Sequence, residues 1–144
     1  MTEKELRNLV KKVWGNGPPL TWVEAGRGST VGAADLLVPV GRQLVPAELK
    51  VIKTTHDSFQ PVLRPVQLNY HRGLIKNGIA SVYLFGVDWH DCPCAYVCDM
   101  NVAIEAIMSD KNIEPGNCIE FGHWRHRRTS WVEFSELIKS VCHL

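Results

Sequence analysis

Hydrophobic residues recur at helical spacing over Thr2 to Trp14, where Leu6, Leu9, Val10 and Val13 share one face, and the pattern predicts an opening helix. Thr2 with Glu5 three residues on makes a capping box, and Gly15-Asn16-Gly17-Pro18-Pro19 ends the segment. A short β-prone run, Leu20 to Glu24, leads into a loop of small residues, Ala25 to Thr30. Asp35 to Val40 and Gln43 to Ile52 read as two strands joined at Gly41-Arg42, an antiparallel hairpin. Pro39 and Pro46 each remove a ladder donor, which marks an edge or a bulge near them.

Beyond a polar loop from Thr54 to Pro61, Pro65 suits the first turn of a second helix. Val66, Tyr70 and Leu74 recur there at fours, and Asn77-Gly78 closes it. Ile79 to Val87 is continuous apolar sequence, as expected of a buried strand. Strand, helix, strand in succession predicts an α/β sheet with a crossover. In the last third, Ala95 to Cys98 reads as a strand and Asn101 to Met108 as a helix. A terminal helix over Trp131 to Val141 would begin at Thr129 or Ser130. The expectation is one domain over residues 1–144, with a core of about 1–90 and a C-terminal extension over 91–144.

A length of 144 residues suffices for one core without staples, and 45% hydrophobic with 22% charged residues is ordinary globular composition. No stretch approaches the roughly 20 apolar residues that span a bilayer, and the N-terminus alternates charge with apolar residues. These features predict a cytoplasmic protein, or a viral one acting in a host cytoplasm, with no membrane partner. Five cysteines, three of them in the run Cys92 to Cys98, are an odd count that argues for reduced thiols. Their spacing lacks the paired CxxC of a zinc site, so a structural zinc at Cys92, Cys94 and Cys98 is disfavoured. Net charge is +1, so any polyanion must be met by local basic surface. The candidates are Lys53, Arg64, Arg72 and Lys76 in the middle, Arg125, Arg127 and Arg128 near the end, and Arg27 between two glycines.

Asp35, Glu48 and Lys50 sit inside the otherwise apolar run from Gly32 to Val51, where charge is costly unless something binds it. Strand alternation puts Glu48 and Lys50 on one face, and pairing across the turn sets Asp35 beside Glu48. Two adjacent carboxylates repel, so a cation is expected between them, and an all-oxygen site suits Mg²⁺ or Mn²⁺. The plain alternative is a pair of strand-end carboxylates facing water, with Lys50 in a surface salt bridge.

Gly32-Ala33-Ala34-Asp35, then twelve residues, then Glu48-Leu49-Lys50, followed by a helix bearing Gln67, resembles the PD-(D/E)XK nuclease superfamily. Within it the chain is most similar to archaeal-type Holliday junction resolvases and to small VRR-NUC-type nucleases. Ala34 stands where a proline usually precedes the aspartate, and the similarity runs from Met1 to Val87. The resemblance implies a restriction-endonuclease-like α/β core, with a mixed sheet of about four to five strands flanked by helices. It implies Asp35 and Glu48 as metal ligands, the Leu49 carbonyl as a third, Lys50 as the catalytic lysine and Gln67 as a helix residue acting near the site. Glu5 or Glu24 would supply a further acidic metal ligand. The implied activity is metal-dependent hydrolysis of DNA phosphodiester bonds, structure-specific and resolvase-like, by a homodimer acting on branched or duplex DNA. A catalytically silent nuclease-fold module binding DNA or protein, and a restriction or DNA-processing nuclease, are the competing readings.

Overall fold

A computed structural model of the chain describes residues 1–23, 34–53, 58–89, 92–123 and 130–144. The opening helix, α1 (Glu3–Trp14), starts as its capping box dictates, with Thr2 Oγ1 accepting the Glu5 backbone N–H at 3.1 Å. Leu6, Leu9, Val10 and Val13 form its buried face. The helix stops at Gly15, whose φ of 54° favours a residue without Cβ. Strand β1 (Thr21–Trp22) is shorter than the predicted Leu20 to Glu24, and Glu24 lies outside the described residues.

Strands β2 (Leu36–Val40) and β3 (Gln43–Ile52) form the predicted hairpin, closed by Val40 opposite Gln43, with Gly41 at φ 60° in the two-residue turn. The prolines fit because each lies where its strand has a partner on one side only. β1 pairs β2 at Leu36 and Leu37 and ends before Pro39, while β3 meets its next neighbour from Ala47 onward, one residue past Pro46. Helix α2 (Pro65–Lys76) carries the chain over to β4 (Val82–Trp89), which runs parallel to β3. Residues 82–87 of β4 are all buried, because helices cover both faces of the sheet there.

Among the described residues the sheet has six strands, in the order β1-β2-β3-β4-β5-β6, which corrects the expected four to five. Beyond residue 90 the chain supplies β5 (Cys92–Asp99), α3 (Met100–Met108), β6 (Ile119–His123) and α4 (Trp131–Cys142). Both added strands are antiparallel to their neighbours. Asp99 caps α3 through the Asn101 N–H, and Ser130 caps α4 through the Glu133 N–H, each at 3.3 Å.

Helices α1 and α4 pack on one face, against Val45, Ala47, Leu49, Leu84 and Val97. The opposite face, covered by α2 and α3, has an aromatic core in which Phe59, Tyr83, Phe85 and Tyr96 stack at centroid distances of 4.8–6.4 Å. No helix among the described residues is long and apolar enough to cross a membrane.

Phe134 of α4 is 1% exposed and lies edge-on to Trp14 at 5.9 Å and to Phe121 at 4.8 Å. Phe134→Ala should therefore lower the unfolding free energy in urea by about 3–5 kcal/mol. Leu44→Ala, at a residue 56% exposed, should stay within about 0.5 kcal/mol of the parent.

Candidate active site

Leu36 stands opposite Ala47, and Asp35, the residue just before β2, lies close enough to Glu48 for its charge and hydrogen bonding to act on that carboxyl. Asp35 ends β2 by substituting its side chain for a ladder partner: its Oδ2 accepts the Leu49 backbone N–H at 3.0 Å, while its own N–H donates to the Ala47 carbonyl at 3.1 Å. Strand alternation turns Ala47 and Leu49 toward α1 and α4, and Glu48 with Lys50 toward α2. The Glu48 side chain is 0% exposed, which excludes the water-facing alternative.

Two residues of α2, one turn apart, hold Glu48. Gln67 Nε2 donates to Glu48 Oε1 at 2.6 Å, and the other end of the same amide, Oε1, accepts the Arg64 backbone N–H at 3.0 Å. His71 Nε2 lies 2.9 Å from Glu48 Oε2, and its Nδ1 lies 2.6 Å from the Ser81 hydroxyl, just before β4. Gln67, His71 and Ser81 are all buried. Sequence reasoning found Gln67 and missed His71 and Ser81. The available signal was spacing, since residues four apart on a helix share a face.

Burial is the main cause that pushes the Glu48 carboxyl up to about 9. The charge and hydrogen bonding of Asp35 add to it, and Lys50 and Arg64 act against it. Burial likewise pushes His71 down to about 4, opposed by the Asp35 charge. Although His71 and Glu48 have ion-pair geometry, both groups are neutral near pH 7, so their contact is a neutral hydrogen bond.

A buried carboxyl on which the largest charge effect comes from another carboxylate is a site short of positive charge. A bound cation would displace the Glu48 proton, and because each oxygen of the resulting carboxylate has two lone pairs, the contacts with Gln67 and His71 would leave acceptor capacity on both. Asp35, Glu48 and the Leu49 carbonyl form an all-oxygen donor set, which fits a hard cation such as Mg²⁺ or Mn²⁺ better than a soft one. Among the described residues, no group of three or more His, Cys, Asp or Glu side chains is arranged to hold a metal ion.

The remaining expected residues are scattered. Glu5 is tied to Thr2, its Oε1 accepting the threonine hydroxyl at 3.2 Å, on a helix that packs against the face away from Glu48. The structure therefore does not bring Glu5 to the carboxylate pair. Glu24, Arg27, Arg125, Arg127 and Arg128 lie outside the described residues. Lys53 is exposed just past β3, and Arg64 leads into α2 with its charge felt at Glu48. Arg72 and Lys76, with Asn69 and Asn101, line an open groove of about 430 Å³ between α2 and α3.

Cys94 and Cys98 lie four residues apart on β5, or about 13 Å at the usual strand rise, too far to share a zinc. The Cys92 side chain is outside what the structure describes. Contact with Cys118, and then burial, hold the Cys98 thiol well above its usual range, and burial pushes Cys142 up to about 12. Thiols so placed make poor nucleophiles.

No protein-family model matches the chain, and no curated protein matches it in sequence.

The shifted carboxyl sets a pH dependence. Unfolded, Glu48 loses its proton near 4.5, but the fold keeps it to about 9, so stability falls as pH rises through that window. His71 acts oppositely between about 4 and 6.5, where only the unfolded chain is protonated. The two offset each other up to about pH 6.5, and the Glu48 effect alone continues to about 9. Urea unfolding in EDTA should show stability falling from pH 6.5 to 9 in the wild type, and Glu48→Gln should remove that fall.

Proposed function

We propose that the protein is a metal-dependent endonuclease that hydrolyses DNA phosphodiester bonds, with a restriction-endonuclease-like core. One observation carries the reading: Asp35, just before β2, acts through its charge and hydrogen bonding on the fully buried Glu48 of β3, and strand alternation puts Lys50 on the same face as Glu48. The mixed sheet and the helix bearing Gln67 support it as well, since the sequence resemblance implies both.

In this reading Asp35, Glu48 and the Leu49 carbonyl hold Mg²⁺ or Mn²⁺. Bound there, the cation supplies the Lewis acidity that makes water a nucleophile at neutral pH and neutralises charge on the phosphate. Lys50 stabilises the negative charge that develops on the phosphate oxygens. Gln67 acts as a positioning residue, since its amide is spent on Glu48 and on the backbone of Arg64. Arg64, Arg72 and Lys76, exposed along α2, and Lys53 after β3 are the described cations available to the DNA backbone. Symmetric cutting of a branched substrate needs two sites, which makes a homodimer part of the proposal.

A second reading, a nuclease-fold module that binds DNA or protein without cutting, draws on a specific observation. Both Glu48 oxygens already have protein partners, and the described residues contain no three-ligand group.

Incubation with four-way junction, flap, linear duplex and single-stranded DNA, in Mg²⁺, Mn²⁺ or EDTA, separates the two. The nuclease reading expects cation-dependent cleavage, greatest on branched DNA, that drops by at least about 100-fold in Asp35→Asn and in Lys50→Ala, the size typical of losing one electrostatic stabiliser. Binding of DNA with no cleavage under any condition would favour the silent module.

A further inference from the structure

Glu48 sits at one end of a continuous buried chain of polar contacts. Its Oε2 meets His71 Nε2 at 2.9 Å, the opposite ring nitrogen meets Ser81 Oγ at 2.6 Å, and the Ser81 carbonyl accepts the Met100 N–H at 3.0 Å. The chain thus runs from β3 through α2 to the start of β4 and the first turn of α3. Glu48, His71 and Ser81 are each fully buried.

A glutamate side chain has three rotatable bonds, and a buried carboxylate that must present lone pairs in one direction needs its oxygens held from behind. Gln67 holds Oε1 but is itself fixed only within its own helix, through Arg64. His71 is different, because Ser81 anchors its ring from outside α2. Against an ionised Glu48, which only accepts, the imidazole donates from Nε2, and its Nδ1 then accepts the Ser81 hydroxyl proton. Edge-on contact with Tyr70 at 5.1 Å further limits ring rotation.

We propose that His71 and Ser81 form a buried strut that fixes the Glu48 carboxylate for cation binding, so that divalent-cation affinity depends on a hydroxyl that does not itself touch the cation. This rests on the metal-site reading above. His71 and Ser81 are positioning residues, touching neither cation nor DNA.

The test is Mn²⁺ affinity, measured on the full chain by calorimetry or by loss of the free-ion spin-resonance signal, without DNA and at one pH. Wild type should bind, and both Ser81→Ala and His71→Asn should bind about 10–100-fold more weakly, as is usual when the groups behind a ligand are removed. Phe134→Leu, on the opposite face of the sheet, should lose thermal stability yet keep wild-type affinity, and it separates a positioning effect from general loosening. Ser81→Ala and His71→Asn binding Mn²⁺ as tightly as wild type would overturn the strut alone. Equal weakening in Phe134→Leu would also overturn it, by making the effect one of stability. A wild-type protein that binds no Mn²⁺ would instead overturn the metal site itself, and the strut with it. Should His71→Asn fail to fold, Ser81→Ala, which removes a single oxygen, decides.

Discussion

The register of the β2–β3 hairpin is the constraint on which the candidate site depends. Side chains alternate along a strand, so the register set by the two-residue turn at Gly41-Arg42 decides that Glu48 faces α2, and it brings Asp35, just before β2, near that carboxyl. A slip of one residue would send one carboxylate into the apolar layer under α1. The same register lines up Val38 with Val45 and Leu36 with Ala47 on that apolar side, so core packing and site geometry select a single alignment. Asp35 reinforces it from the far end, since its carboxylate holds the Leu49 N–H at the point where β2 stops.

Burial then turns geometry into chemistry. An exposed pair of carboxylates would be screened and would demand little from its surroundings. Glu48 lies under a helix with no exposure, and it is the loss of water that makes Asp35 a costly neighbour and leaves the carboxyl protonated near neutral pH. Hydrogen bonds from Gln67 and His71 fix the carboxyl in place without adding charge. The site is short of positive charge, which is what the proposed metal-dependent reading calls for.

Much of this was legible in the sequence wherever one physical signal dominated. The capping box of α1, the two-residue hairpin turn and the proline-initiated α2 are local devices, and each element appears where its device predicts. The second half of the sheet was harder to see. β5 carries Pro93 and several cysteines in place of β-branched residues, and β6 is a five-residue edge strand containing Gly122. Neither gives a strong period, and what pairs them is the otherwise open edge of β4. His71 was missed for another reason. In the run Tyr70-His71-Arg72 a histidine reads as part of a basic surface, and only the crossover that lays α2 over β3 turns it inward. Glu5 reads from sequence either as a cap or as a ligand, and the contact the structure shows is the cap, its Oε1 accepting the Thr2 hydroxyl.

Pro39 has a consequence beyond the site. β1 covers the outer edge of β2 only at Leu36 and Leu37, which leaves Val38, Pro39 and Val40 bordered by no strand among the described residues. In a hairpin closed by Val40 opposite Gln43, alternate residues of β2 turn their amides away from β3, and position 39 is one of them. A residue with an N–H there would offer an outward donor on an apolar strand, a template on which a second chain could add. Proline removes that donor, so the hairpin that carries the two carboxylates also guards its own border against edge-to-edge aggregation.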